Sequence, residues 1–292
     1  MSTRALLRGA PPPDAASAER AAPAPRLLRV WRYLRLALHL AEGVATIALL
    51  HRFSSRTRRE AMRRSWSARL LRVLGIQLEQ RGETVAPGCM LVANHVSWVD
   101  IFVINALAPA AFVSKAEVRD WPVIGWLAAR NNTIFLRRGS RGHARIINEE
   151  TAALLDAGRN VAIFPEGTTS DGCSVLHFHA ALLQPAIACG HPLQTLALQY
   201  RSADDRFSRA AAYDGDLSLG QCLANIVAER SIVARVTVAA PLATTDGLDR
   251  RALAARARAQ IAAAIGAPLP ERAPSGLSPA PETPPRPRCA AR

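Results

Sequence analysis

His95 and Asp100 lie five residues apart in the stretch NHVSWVD, directly after the apolar run Met90-Leu91-Val92-Ala93. An imidazole beside a carboxylate is a proton-transfer pair, because the carboxylate fixes the ring's tautomer and raises its basicity. Such a pair can take the proton of a hydroxyl group without a nucleophilic serine. Two residues five apart on one continuous helix point about 140° away from each other. They meet only if His95 lies in a loop after the strand and Asp100 in the first turn of a helix. The same residues allow a plainer reading. Ser97-x-x-Asp100 has the spacing of a capping box, in which Asp100 would only close a helix N-terminus. Against this, His95 would stand at the carboxyl end of a strand, where open α/β sheets keep their ligand sites.

A second group follows in FPEGTTSDG, residues 164–172. The strand-like run NVAIF meets Pro165, which ends it. Glu166, Gly167, Thr168, Thr169 and Ser170 then crowd a tight turn, where glycine permits close backbone approach and amides and hydroxyls offer donors. An ordinary strand-to-loop turn has no need of a carboxylate after Phe-Pro. The third group is TIFLRRGSRG, whose Arg137, Arg138 and Arg141 suit a phosphate or a solvated basic edge equally well. Lys115 is the single lysine in a chain whose other basic side chains are arginine. An ammonium differs from a guanidinium in shape and hydration, so a site that requires one is a reason to keep it.

These groups need a frame. From about residue 76 short apolar or alternating runs (IQLEQRG, CMLVANH, AAFVSKA, NNTIFLRR, NVAIFPEG, LQTLALQY, SIVARVTVAAPL) alternate with helical stretches at 100–107, 144–157 and 180–189 and in DRRALAARARAQIAAAIG. That alternation predicts an α/β fold with a mostly parallel central sheet flanked by helices. The domain reading is a disordered leader at 1–25, amphipathic membrane-associating helices at 26–75, the catalytic α/β domain at 76–266, and a disordered tail rich in Pro, Ala and Arg at 267–292. In the first helix Arg26, Arg29, Arg32, Arg35, His39 and Glu42 recur every three or four residues, with Leu27, Trp31, Leu34, Leu38 and Leu40 around them. The charge-free run from Gly43 to Leu50 is short for a bilayer crossing, which favours a helix lying in the interface. A second helix after Ser54 or Ser55 carries Arg56, Arg58, Arg59, Arg63, Arg64, Arg69 and Arg72 around an apolar stripe. The pair reads as a hairpin on anionic lipid, or else as two helices packed on their own domain.

The net charge of +14 over 292 residues calls for an anionic partner. No zinc-finger or RNA-binding signature accompanies it, and the arginines are interleaved with apolar helix faces rather than stacking aromatics, which argues against nucleic acid. Five scattered cysteines form neither a disulfide framework nor a metal site. The leader lacks the apolar core of a secretory signal, and no G-x-S-x-G elbow supports a serine hydrolase.

Taken together, NHVSWVD and FPEGTTS resemble the N-H-x-S-x-x-D and F-P-E-G-T motifs of the glycerolipid acyltransferase superfamily, in the same order and at a similar separation. The likeness runs from about Arg26 to Leu242 and is strongest to bacterial 1-acyl-sn-glycerol-3-phosphate acyltransferases. It implies an O-acyltransferase in which His95 is the general base and Asp100 orients and charge-stabilises it, with Asn94 and Ser97 in support. Glu166 and Gly167, with Thr168 and Thr169, would shape the acceptor site. Arg138 matches the family arginine that binds the acceptor's phosphate, and Lys115, ahead of Trp121, Pro122 and Gly125, would add a cation there. The resemblance implies acyl-CoA or acyl-carrier protein as co-substrate, no metal and no other cofactor. It implies a lysolipid acceptor, with 1-acyl-sn-glycerol-3-phosphate giving phosphatidic acid, and a place on the anionic, cytoplasmic face of the bacterial inner membrane. The sequence departs from the family pattern at Thr169, where an arginine is common, at Arg137, where an acidic residue is common, and at His179 and Thr195. Acceptor recognition is where these changes fall. Lyso-ornithine lipid, whose head group is not a phosphate, is the alternative acceptor, and a non-catalytic lipid-binding protein the alternative of another class.

Overall fold

A computed structural model describes residues 23–116, 119, 133–136, 141–245, 247 and 249–267. Seven strands form one sheet: β1 Ile76–Gly82, β2 Met90–Ala93, β3 Ala110–Lys115, β4 Ile134–Leu136, β5 Asn160–Ile163, β6 Leu193–Ser202 and β7 Ile232–Val238. Their order is β1-β7-β6-β2-β5-β3-β4. Every neighbouring pair is parallel except β6 with β7. The predicted mostly parallel sheet is therefore the observed one. β2 and β5 sit in its middle, buried along their whole length, which is why both read as unbroken apolar runs rather than alternating ones. β7 alternates buried and half-buried side chains.

Seven α-helices accompany the strands among the described residues: α1 Arg26–Leu50, α2 Arg56–Leu74, α3 Asp100–Leu107, α4 Arg141–Asp156, α5 Gln184–Cys189, α6 Leu219–Ala228 and α7 Arg250–Ile265. Their ends follow local chemistry. Ser55 accepts from the Arg58 N–H at the start of α2, and Gly75 ends that helix in the left-handed region at φ 80°. Asp249 accepts from Arg251 and Ala252 at the start of α7. α6 carries a complete capping box between Ser218 and Gln221. One face of the sheet packs on α2, α3 and α6 through residues such as Leu70, Leu74, Val103, Ile226 and Val236. The other packs on α4, α5 and α7 through Leu155, Val161, Leu183, Leu253 and Ile261.

The N-terminal helices depart from expectation in two ways. First, four arginines of α2 bond to protein. Arg56 donates to the Ala157 carbonyl (2.8 Å), Arg63 to Ala110 (3.1 Å), Arg64 to Ala106 (3.2 Å), and Arg69 pairs with Glu42 (2.7 Å). Burial pulls the Arg63 guanidinium down to about 10. α2 thus belongs to the sheet's own core, the second of the two readings for the pair. Periodic charge looks the same whether guanidiniums reach lipid or backbone carbonyls.

Second, α1 buries two members of its polar stripe, Arg32 and His39. Arg32, Leu36, His39 and Gly43 face inward, while Leu27 is 82% exposed, Leu38 71% and Phe53 in the following turn 73%. Arg32 donates to the carbonyls of Val227 (3.1 Å), Glu229 (2.5 Å) and Arg230 (2.7 Å), closing the C-terminal end of α6. The His39 Nε2–H donates to the Trp66 carbonyl (3.1 Å), the Trp66 indole N–H donates to the His39 carbonyl (3.2 Å), and the rings stack at 4.5 Å. By length and composition Arg26–Phe53 is long and apolar enough to cross a membrane. The charge-free run alone understates it, because the cations of its first half interrupt the apolar run without covering the apolar face.

Candidate active site

Chain direction creates the crevice. From β2 the chain crosses through α3 to β3, on the far side of β5. From β5 it crosses through α5 to β6, on the far side of β2. Adjacent parallel strands whose connections leave in opposite directions open a cleft at their carboxyl ends. NHVSWVD follows β2 and FPEGTTS follows β5, so the fold brings both motifs to that cleft.

Asn94 is the last group held to the sheet. Its side-chain N–H donates to the Leu198 carbonyl (3.0 Å), and its oxygen accepts from the Leu198 N–H (2.8 Å). An amide side chain thereby replaces one more rung of the β2–β6 ladder while the main chain turns away toward His95. The loop then enters α3. Asp100 is fully buried, and His95 keeps 18% of its side chain exposed. Four donors converge on the Asp100 carboxylate. Oδ2 accepts from His95 Nδ1 (2.8 Å), the Val96 N–H (2.7 Å) and the Ser97 N–H (2.9 Å), and Oδ1 accepts from the Tyr200 hydroxyl (2.6 Å). These bonds, and the N-terminus of α3, offset the desolvation of a buried charge. The capping reading is half realised, for Asp100 reaches back to Ser97 while the Ser97 hydroxyl accepts from Val99 (3.3 Å) rather than from Asp100.

A carboxylate on Nδ1 places the ring proton there and leaves the lone pair on Nε2. Nε2 takes no hydrogen-bond partner among the described residues. Phe164 stacks on the imidazole at 3.9 Å, nearly parallel at 11°. The ring is thus fixed by a carboxylate on one edge and an aromatic on one face.

The second motif holds the histidine's backbone at both ends. Glu166 Oε1 accepts from the His95 N–H (2.9 Å), and the Ser170 N–H donates to the His95 carbonyl (2.8 Å). The other Glu166 oxygen accepts from the Leu176 N–H (3.2 Å). Burial pushes Glu166 up to about 7, against the pull of those two N–H groups; Asp100 adds to the rise and Arg258 opposes it. Gly167, at φ 69°, closes the turn by donating to the Phe164 carbonyl (3.1 Å). Thr168 is exposed. Thr169 donates its hydroxyl to the Tyr213 carbonyl, and the Tyr213 N–H donates to Val96 (2.9 Å), tying both motif loops to the chain before α6.

Of the residues singled out from sequence, His95, Asp100, Glu166, Gly167, Thr168 and Thr169 lie together. Asn94 and Ser97 lie there too, but both are fully buried and bonded to protein. They hold the loop and do not face a ligand. Lys115 ends β3, with its side chain outside the described residues, as are Arg137, Arg138, Trp121, Pro122 and Gly125, the leader to residue 22 and the tail from 268. Among the described residues no cluster of three metal-ligating side chains is present.

A family model described as acyltransferase matches residues 76–199. A lyso-ornithine lipid O-acyltransferase of Pseudomonas aeruginosa is 38% identical over 240 residues, covering 82% of this chain and 92% of the relative. The chain belongs to the acyltransferase family. It is an O-acyltransferase by that membership. A 1-acyl-sn-glycerol-3-phosphate acyltransferase of Neisseria meningitidis is 33% identical over 192 residues, 66% of this chain and 75% of the relative. The fold is that of the 1-acyl-sn-glycerophosphate acyltransferase of Thermotoga maritima, with TM-score 0.60 and 20% identity over 82% of this chain and 96% of that one.

Two residues of this acyltransferase's site escaped the sequence reading. Phe164 passed as the end of a strand. Tyr200 passed as the end of the run LQTLALQY, where the one available signal was a phenol within a strand expected to be buried, since a buried tyrosine hydroxyl needs a partner.

Proposed function

We propose that the protein moves a fatty acyl group from an acyl thioester, acyl-CoA or acyl-carrier protein, to the free hydroxyl of a lysolipid at a membrane surface. One observation carries this reading: His95 has Nδ1 locked on a buried carboxylate and Nε2 without a hydrogen-bond partner among the described residues, at the mouth of the cleft between β2 and β5. Nε2 accepts the acceptor's hydroxyl proton while that oxygen attacks the thioester carbon. The C–S bond breaks as the tetrahedral intermediate collapses, and the Nε2 proton goes to the leaving thiolate. Asp100 stays ionised and stabilises the imidazolium between these steps. Neither a metal nor a resident cofactor enters this sequence. Glu166 and Gly167 shape the floor, Glu166 by fixing the His95 backbone and Gly167 by closing the turn on the Phe164 carbonyl. Thr168 is exposed in the same motif, and Lys115 and Arg138 are assigned to the acceptor by their match to the family's motifs.

Lyso-ornithine lipid is the acceptor these observations favour. The threonine that stands where an arginine is common has its hydroxyl committed to the Tyr213 carbonyl, and the Pseudomonas relative is named for that activity. The second reading, 1-acyl-sn-glycerol-3-phosphate, is favoured by the name of the Neisseria relative and by Arg138. The outward apolar side chains of α1, Leu27, Trp31, Leu34 and Leu38, support docking on the anionic cytoplasmic leaflet of the bacterial inner membrane.

The test is acyl transfer by purified protein in vesicles, with labelled acyl-CoA and acyl-carrier protein each offered with either lysolipid. Transfer to lyso-ornithine lipid alone supports the first acceptor, and transfer to the lysophosphatidic acid alone replaces it. The His95→Ala protein must lose transfer by roughly a hundredfold or more. Undiminished turnover by that variant rejects the mechanism.

A further inference from the structure

We propose that Tyr200 is a positioning residue for the reaction, acting through Asp100 on the His95 base. The inference rests on the acyl-transfer reading above. Tyr200 and Asp100 are both fully buried, and the hydroxyl lies 2.6 Å from Oδ1. The three other donors to this carboxylate all meet Oδ2. Tyr200 therefore supplies the single described bond to the second oxygen. With one oxygen held by the loop and the other by a central strand, the carboxylate plane cannot rotate, and the direction in which Oδ2 meets the imidazole is fixed.

The placement follows from the fold. Tyr200 stands on β6 two residues after Leu198, on the same face of the sheet, and Leu198 is the residue whose backbone Asn94 clamps from both sides. β6 is further held along its length by β7, with Tyr200 opposite Ala234. The phenol thus projects from a rigid element toward the N-terminus of α3. Burial, with the adjacent carboxylate, holds its ionisation well above the ordinary tyrosine range, so it remains a donor at any working pH. Its chemical role is to keep the negative charge on Asp100. When His95 takes the acceptor's proton, an imidazolium faces that carboxylate. A donor on Oδ1 stabilises the negative charge that faces the imidazolium, which favours the ion pair until the ring proton passes to the leaving thiolate.

Tyr200→Phe removes the donor and keeps the ring. We expect kcat to fall roughly tenfold, the loss of one hydrogen bond to a charged group. KM for both substrates should stay within about twofold, since no substrate contact is removed. The downfield proton resonance of the His95 Nδ1–H, identified by its absence in His95→Ala, should move. A purely structural tyrosine would lower the folded fraction and leave that resonance in place. Fluorotyrosine at position 200 keeps the side chain and makes its hydroxyl a stronger acid, so it should also shift the resonance if Tyr200→Phe folds poorly. The proposal is overturned by an unmoved resonance, or by a Tyr200→Phe kcat equal to that of the parent. His95→Ala separates the two levels. If it retains transfer, the acyl-transfer reading itself fails; if it is inactive while Tyr200→Phe is unaffected, only the role of Tyr200 fails.

Discussion

Glu166 accepts a 2.9 Å hydrogen bond from the backbone N–H of His95, across the gap between the ends of β5 and β2. The two motifs are therefore one construction, in which a buried carboxylate of the second sets the main-chain position of the first. That carboxylate titrates near 7, raised from its ordinary value of 4.5 chiefly by burial. A folded-state value above the unfolded one means that the folded protein binds the proton more tightly. The group's contribution to stability is fully present below about 4.5 and is lost as pH rises through about 7. The shift corresponds to an upper bound on the order of 3 kcal/mol. Glu166→Gln removes the titration. The melting temperature of the parent minus that of the variant should therefore decline between these two pH values and level off above them. A difference independent of pH would show that Glu166 ionises normally.

Asn94→Ala should damage the fold and not substrate affinity. It strands the N–H and C=O of Leu198 in the interior, at a cost of about 2–4 kcal/mol. Urea denaturation measures that loss. The KM values of the enzyme that remains folded should match the parent, and a raised acceptor KM at parental stability would make Asn94 a ligand residue after all.

The exposed face of α1 gives a binding prediction. Trp31→Asp with Leu38→Asp changes two outward side chains, 55% and 71% exposed, so the melting temperature should hold. Affinity for anionic vesicles should drop by at least about tenfold, given the transfer energy of even one such side chain. Co-sedimentation measures it, and unchanged binding would remove α1 from the lipid contact.

Gly75→Ala tests how α1 is held. Gly75 has φ 80°, and a Cβ there would lie 2.1 Å from a terminal nitrogen of Arg32. The left-handed backbone alone costs a side chain about 1–2 kcal/mol. The guanidinium must also leave the carbonyls of Val227, Glu229 and Arg230. Limited proteolysis should then cut the 51–55 link faster than in the parent. A parental rate would mean that the His39–Trp66 pair suffices to dock the helix.

Much of this fold was readable because its central strands are short, apolar and punctuated. Asp100–Leu107 and the seven strands were placed from pattern alone. α6 was not, although Ser218 and Gln221 stand at capping-box spacing; its ten residues are mostly small or apolar, and Gln221 and Asn225 are the two polar side chains that mark its exposed face. The meeting of His95 with Asp100 followed from spacing, but the convergence of Tyr200 and Phe164 on that pair did not. Those contacts join residues up to about a hundred positions apart, and only the strand order decides them. The sequence left two readings of the α2 arginines open for a related reason, since Arg63 and Arg64 find carbonyls over forty residues away.

The clasp of Arg32 on α6 also has a consequence for biosynthesis. Its carbonyl partners lie 195 to 198 residues further along the chain. Chains emerge from the ribosome N-terminus first and fold progressively. α1 is thus made early and locked late, and it must wait, with its leucines and Trp31 exposed, until residue 230 has been synthesised. A lipid surface is the natural place for such a helix to wait, which would let nascent chains collect at the membrane before their catalytic cleft is complete.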